Sequence, residues 1–179
     1  FLADLCLLAL VWVKEELGGV QLGAGTATFL LLTAWTMGRM TNDLLNWALG
    51  FYLLFAILHS VFPIVLQRLR PRAAPAWWGQ LFPPLALLLV MLPMIKFAEV
   101  SLLVWPVVLL VDLLAIGMAI LTASILSVVA VLMLTVIATG LWIFKIPAEL
   151  TGLSVTMFII GGFAVIFFAV GIFVARKFI

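Results

Sequence analysis

The chain has 179 residues, of which 68% are hydrophobic and 9% charged, whereas a soluble domain is about half apolar and about a quarter charged. So little polar surface cannot coat a water-soluble globule, and 14 Phe with 7 Trp are the opposite of a disordered chain. The net charge is +2, and a single Cys6 and a single His59 leave no internal disulfide and no Cys/His set for zinc or haem. What remains is a polytopic, all-α membrane protein with no cofactor expected.

A helix crossing a hydrocarbon core of about 30 Å needs roughly 20 apolar residues, and the chain divides at its charges into runs of that order. The first, 1–13, is closed by Lys14, Glu15 and Glu16; the second, 17–38, by Arg39; the third, 44–66, by Gln67, Arg68, Arg70 and Arg72. A linker holding Pro71, Pro75, Trp77 and Trp78 leads into a fourth run, 79–95, which contains Pro83, Pro84 and Pro93 and stops at Lys96. Residues 100–144 carry one charge, Asp112. As one helix that stretch would be about 68 Å long at 1.5 Å per residue, so it must fold back. A turn at Thr122-Ala123-Ser124 makes two adequate spans, 100–121 and 123–144, with Gly117 as the rival turn. The last run, 150–175, ends at Arg176 and Lys177.

The expectation is a single domain over 1–179, a transmembrane bundle of about seven spans. Phe1 is not an initiator Met and the first run is short, so the chain reads as a fragment of a longer membrane protein that starts inside a helix. A signal-peptide core is the rival, without the basic segment that should precede it.

Loop charge tests this division. Alternate crossings place Lys14, Arg68, Arg70, Arg72, Arg176 and Lys177 on one face and Arg39, Lys96 and Lys145 on the other. Lys and Arg concentrate on the cytoplasmic side, which puts the 66–80 loop and the C-terminus in the cytoplasm. A re-entrant fourth run would erase that bias. Trp12, Trp35, Trp47, Trp77, Trp78, Trp105 and Trp142 all fall near proposed span ends, as an aromatic belt at the headgroups requires.

Few residues can carry chemistry. Asp112 falls near the middle of its span, and an acid at that depth marks an ion or proton path by default. The plainer alternative is a carboxyl that joins helices by bonding a Thr or Ser of the next span. His59, beside Ser60 and four residues before Pro63, suits a proton relay, or else reaches the interface or bonds a carbonyl freed by the proline. Asp4 has no readable depth, and Asn46 and Gln21 suggest interhelical hydrogen bonds. Arg39, Asp43, Lys96, Glu99, Lys145 and Glu149 make a balanced set, either a polar mouth or ordinary loop charges.

Small residues point to close helix packing: Gly19 with Gly23, and Ala115, Ala119, Ala123 and Ser127 at intervals of four. A Gly-rich second span unwound around a ligand is the other reading. Arg68, Arg70, Arg72, Arg176 and Lys177 set topology or touch anionic headgroups, at about 1 kcal/mol each. Nucleotide-loop, serine-hydrolase and zinc-protease motifs are missing, and no surface suits nucleic acid, so no enzyme activity is expected. The expected partners are the bilayer and further transmembrane helices of this or another chain.

Residues 50–56 (Gly-Phe-Tyr-Leu-Leu-Phe-Ala) resemble 162–169 (Gly-Phe-Ala-Val-Ile-Phe-Phe-Ala), in spans that end in basic residues on the same face, as a parallel internal repeat would. Three further motifs lie at Phe82-Pro83-Pro84-Leu85-Ala86-Leu87, at Leu102-Leu103-Val104-Trp105-Pro106 with Asp112 six beyond the proline, and at Gly161-Gly162-Phe163. On these, the stretch from 81 onward resembles a large bacterial family of many-span inner-membrane proteins catalogued as a domain of unknown function. The resemblance implies further spans upstream and a bacterial inner membrane, and it supplies no activity or site residue. Three functions fit: a transporter-like or permease-like bundle with Asp112 on the path, a structural or assembly module, and an enzyme on lipid or envelope precursors.

Overall fold

A computed structural model describes residues 2–70, 75–97, 100–145 and 153–178, apart from the side chains of residues 15, 174, 177 and 178. Among them all regular structure is helical. Seven α-helices follow one another: α1 Leu2–Val13, α2 Gly18–Gly38, α3 Leu45–Leu69, α4 Phe82–Lys96, α5 Val104–Thr122, α6 Leu126–Ile143 and α7 Leu153–Phe178. A 3₁₀ segment, Ala76–Leu81, runs into α4. Among the described residues, α3, α4 together with its 3₁₀ lead-in, α5, α6 and α7 are long and apolar enough to cross a membrane. The 12 residues of α1 are too few, and Gly, Thr and Gln dilute the apolar character of α2.

Local chemistry sets the boundaries. Arg70 precedes Pro71, whose ring disfavours helical geometry one residue earlier, and α3 stops there with Arg70 at φ −141°, ψ 82°. Pro83 and Pro84 open α4, where a missing N–H costs nothing. Between α5 and α6, Ala123 adopts left-handed geometry at φ 52°, which costs a residue with a Cβ about 1–2 kcal/mol.

The buried core runs through α4. Of its membrane-length segment 61% is buried, against 6% for α7. Phe82, Ala86, Leu87, Leu89, Val90 and Met94 point inward and meet Phe29 of α2, Tyr52 of α3, Val108 of α5 and Val131 of α6. The two ends of α4 attach to opposite ends of the bundle. At one, Gln80 is bonded to the α5–α6 turn; at the other, Lys96 reaches the end of α2. Fifteen α-helical and six 3₁₀ residues cover about 34 Å. The fourth run therefore traverses the bundle and is not a half-helix that turns back.

Three packing expectations are corrected. Gly19 and Gly23 face outward, and a Cβ on either would meet nothing within 4 Å; the close approaches are at Gly25 and Gly79. A Cβ on Gly25 would collide with the Phe82 ring and lie 2.9 Å from His59 Nδ1, and one on Gly79 would strike the Ser60 carbonyl. The interval of four from Ala115 to Ser127 is not one stripe, because the helix ends before Ala123. Ala115 and Ala119 are buried on α5, Ala123 is exposed at the break, and Ser127 is buried on α6. Trp105 does not join an aromatic belt. It is 4% exposed, against 72% for Trp47, and packs on Trp142 and Phe163 at centroid distances of 5.6 and 5.8 Å.

Candidate functional site

Proline chemistry begins the site. Pro63 lies inside α3 and has no N–H to give to the carbonyl four residues earlier, that of His59. Gln21 of α2 supplies the missing donor, its Nε2 lying 3.4 Å from His59 O. One turn along α2, Gly25 has no side chain, so the His59 imidazole and the Phe82 ring lie directly against the helix backbone. Phe82 and Phe55 flank the imidazole at 5.1 and 6.3 Å. His59 is fully buried.

Asp4 completes the cluster from α1. It is 6% exposed, its Oδ1 accepts from Thr28 Oγ1 at 3.3 Å, and its Oδ2 lies 3.3 Å from His59 Nε2. Beside that contact, His59 Nδ1 and Gln21 Oε1 are buried polar atoms without a hydrogen-bond partner among the described residues. Unsatisfied polar atoms in an apolar interior cost about 1–3 kcal/mol each. Such atoms beside a buried carboxylate and imidazole call for an explanation. Sequence reasoning placed His59 but not its partner. The signal was present: Asp4 is the one acid inside the first apolar run.

Asp112 is also fully buried, in a different arrangement. Thr135 Oγ1 of α6 lies 3.0 Å from both of its carboxylate oxygens, so the side chain joins α5 to α6. Thr135 also lines a cleft of about 400 Å³ between α6 and α7, walled by Leu132, Val136, Gly140, Ile160 and Phe163. The threonine stands between that cleft and the carboxylate. Asp112 and His59 belong to separate clusters.

Gln80 is a polar centre that the sequence did not single out. Nearly buried, it donates to Thr122 Oγ1 and accepts from Ser124 Oγ at 3.1 Å and from Ser127 N at 3.4 Å. It thus holds the turn that Ala123 strains. Gln80 and Gly79 fix the 3₁₀ segment between α3 and the α5–α6 turn.

The charges at the helix ends act on backbone. Lys96 Nζ donates to the carbonyls of Thr36, Met37 and Met40 at 2.9, 3.1 and 3.0 Å, satisfying acceptors that the end of a helix leaves open. Lys145 donates to Phe97 O, and Arg70 to Val13 O at 3.2 Å. Arg39, Asp43, Arg68 and Arg176 are exposed. Arg72, Glu99 and Glu149 lie outside the described residues, as does the Lys177 side chain. Asn46 is exposed, lining a shallow hollow with Asn42 and Ser101. Among the described residues no three His, Cys, Asp or Glu side chains gather to hold a metal ion.

Compared with known proteins, the chain matches no family model, no curated protein and no solved structure.

Proposed function

We propose that the chain is a permease-like bundle of a bacterial inner membrane, with at least five crossings and its functional centre in the Asp4–Thr28–His59–Gln21 cluster. One observation carries this reading: an acid and a base from two helices meet at 3.3 Å in an apolar interior. Asp112, by contrast, meets the neutral hydroxyl of Thr135. Apolar side chains exposed along α7, among them Phe158, Val165 and Phe168, suit contact with lipid. Lys14 and Arg70 follow the ends of α1 and α3, and Arg68 lies in the last turn of α3, at one end of the bundle where Arg70 reaches Val13, and we assign that end to the cytoplasm.

Purified protein in liposomes carrying a pH-sensitive dye tests the reading. Asp4→Asn should abolish protein-dependent proton flux, and Thr139→Val, outside the cluster, should leave it unchanged. Equal flux in wild type and Asp4→Asn would reject the assignment.

An assembly module without transport is the second reading, favoured by the sparse burial of α7. Under it, bulky substitutions on the exposed face of α7, such as Ala169→Trp, would release a partner while Asp4→Asn would not.

A further inference from the structure

Resting on the permease-like reading, the geometry points to the proton as the ion this cluster handles, held between Asp4 and His59. Coordination is the first reason. A hard metal cation gathers about six oxygens, whereas Asp4 has one hydroxyl, Thr28 Oγ1 at 3.3 Å, and a ring nitrogen, His59 Nε2 at 3.3 Å.

The surroundings are the second reason. From α2 the pair meets Thr28, Gly25 and Gln21; from α3, Phe55; from α4, Phe82. All are uncharged. Lys14 follows the far end of α1, where Arg70 is bonded to Val13. No fixed charge among these neighbours commits the pair to one state.

Loaded, the pair holds one exchangeable proton, either on the imidazole with Asp4 ionised or on Oδ2 with the ring neutral, and its net charge is zero both ways. Released, that proton passes to water and leaves a carboxylate beside a neutral imidazole, net charge −1. A lone negative charge is poorly tolerated in an apolar interior. Unloading therefore requires water or a cationic solute to enter beside Asp4, which ties proton release to opening of the α1–α2–α3 contact.

His59 is the single histidine of the chain, so protein labelled with ¹³C in the imidazole ring gives one ring signal. In lipid nanodiscs between about pH 5 and 9, that signal should titrate. Asp4→Asn should move the midpoint by about tenfold or more in proton concentration, the mark of a coupled pair. Replacing choline by Na⁺ at fixed pH should leave the wild-type signal in place. A midpoint unmoved by Asp4→Asn, or a Na⁺-dependent signal, would overturn the proposal. If Asp4→Asn does not fold, wild type alone decides, because a ring locked in one protonation state throughout also overturns it. An intact titration without liposome flux would remove the permease reading and leave the proton site standing.

Discussion

Two aspartates lie buried in this bundle, and they are held in opposite ways. Among the described residues, Asp112 on α5 is bonded to the Thr135 hydroxyl, 3.0 Å from both carboxylate oxygens. Asp4 on α1 is divided between a hydroxyl of α2 and an imidazole of α3, each at 3.3 Å. A threonine offers a neutral donor whatever the pH. A histidine exchanges protons near neutrality. The same acid thus meets one neutral hydroxyl between α5 and α6, and a hydroxyl and a titratable ring between α1, α2 and α3.

The largest expected effect breaks the exchangeable pair. Asp4→Ala leaves the buried imidazole and the Thr28 hydroxyl without their acidic partner, and thermal unfolding in detergent should show a loss of about 1–3 kcal/mol. Asp112→Asn keeps a carbonyl oxygen for Thr135 and should cost under about 1 kcal/mol. Equal losses would erase the distinction between the two sites. Thr135→Val tests the joint from its other side, and the orphaned carboxylate should destabilise the fold by about 1–3 kcal/mol.

A glycine comparison sharpens the cluster's geometry. Gly25→Ala forces a methyl into the Phe82 ring and against His59 Nδ1, for a loss of about 1–3 kcal/mol. Gly23→Ala meets open space and should range from neutral to a gain of about 1 kcal/mol through helix propensity. The smallest effect is at the strained turn. Ala123→Gly relieves a positive φ and should raise stability by about 0.5–1 kcal/mol; a lowered melting temperature would show that the Ala123 methyl contributes packing that outweighs the strain.

Helix ends were the legible part of this fold, because they are written in charges and prolines. Arg39, the Arg70-Pro71 pair, Lys96 and the Pro83-Pro84 entry lie within a few residues of helix termini. The break between α5 and α6 followed from length alone, and it falls at 123–125. Azimuth around each helix was not legible. The Gly19/Gly23 spacing is right for close packing, yet that face points away from the chain's own helices, and Gly25 two residues on makes the contact. Likewise Trp105 stands at a helix start, as an interfacial tryptophan would, but its face turns inward.

Pairings across the chain were the least legible. Asp4 and His59 are 55 positions apart (59 − 4), and no periodicity connects them. Gln80 sits in what reads as a linker, although its amide bonds three groups of the α5–α6 turn. Asp112 with a threonine from the following span was foreseeable in kind, since consecutive helices joined by a short turn lie side by side.

The α2 helix holds both members of the acid–base pair without contributing either. Thr28 grips the aspartate through its side chain, and Gln21 grips the histidine through the carbonyl that Pro63 exposes. Lys96 in turn ties the far end of that helix to the central rod. A small axial slide or twist of α2 would therefore tug on carboxylate and imidazole together, making this unassuming Gly- and Thr-rich rod a lever that links the bundle's outer rim to its protonatable heart.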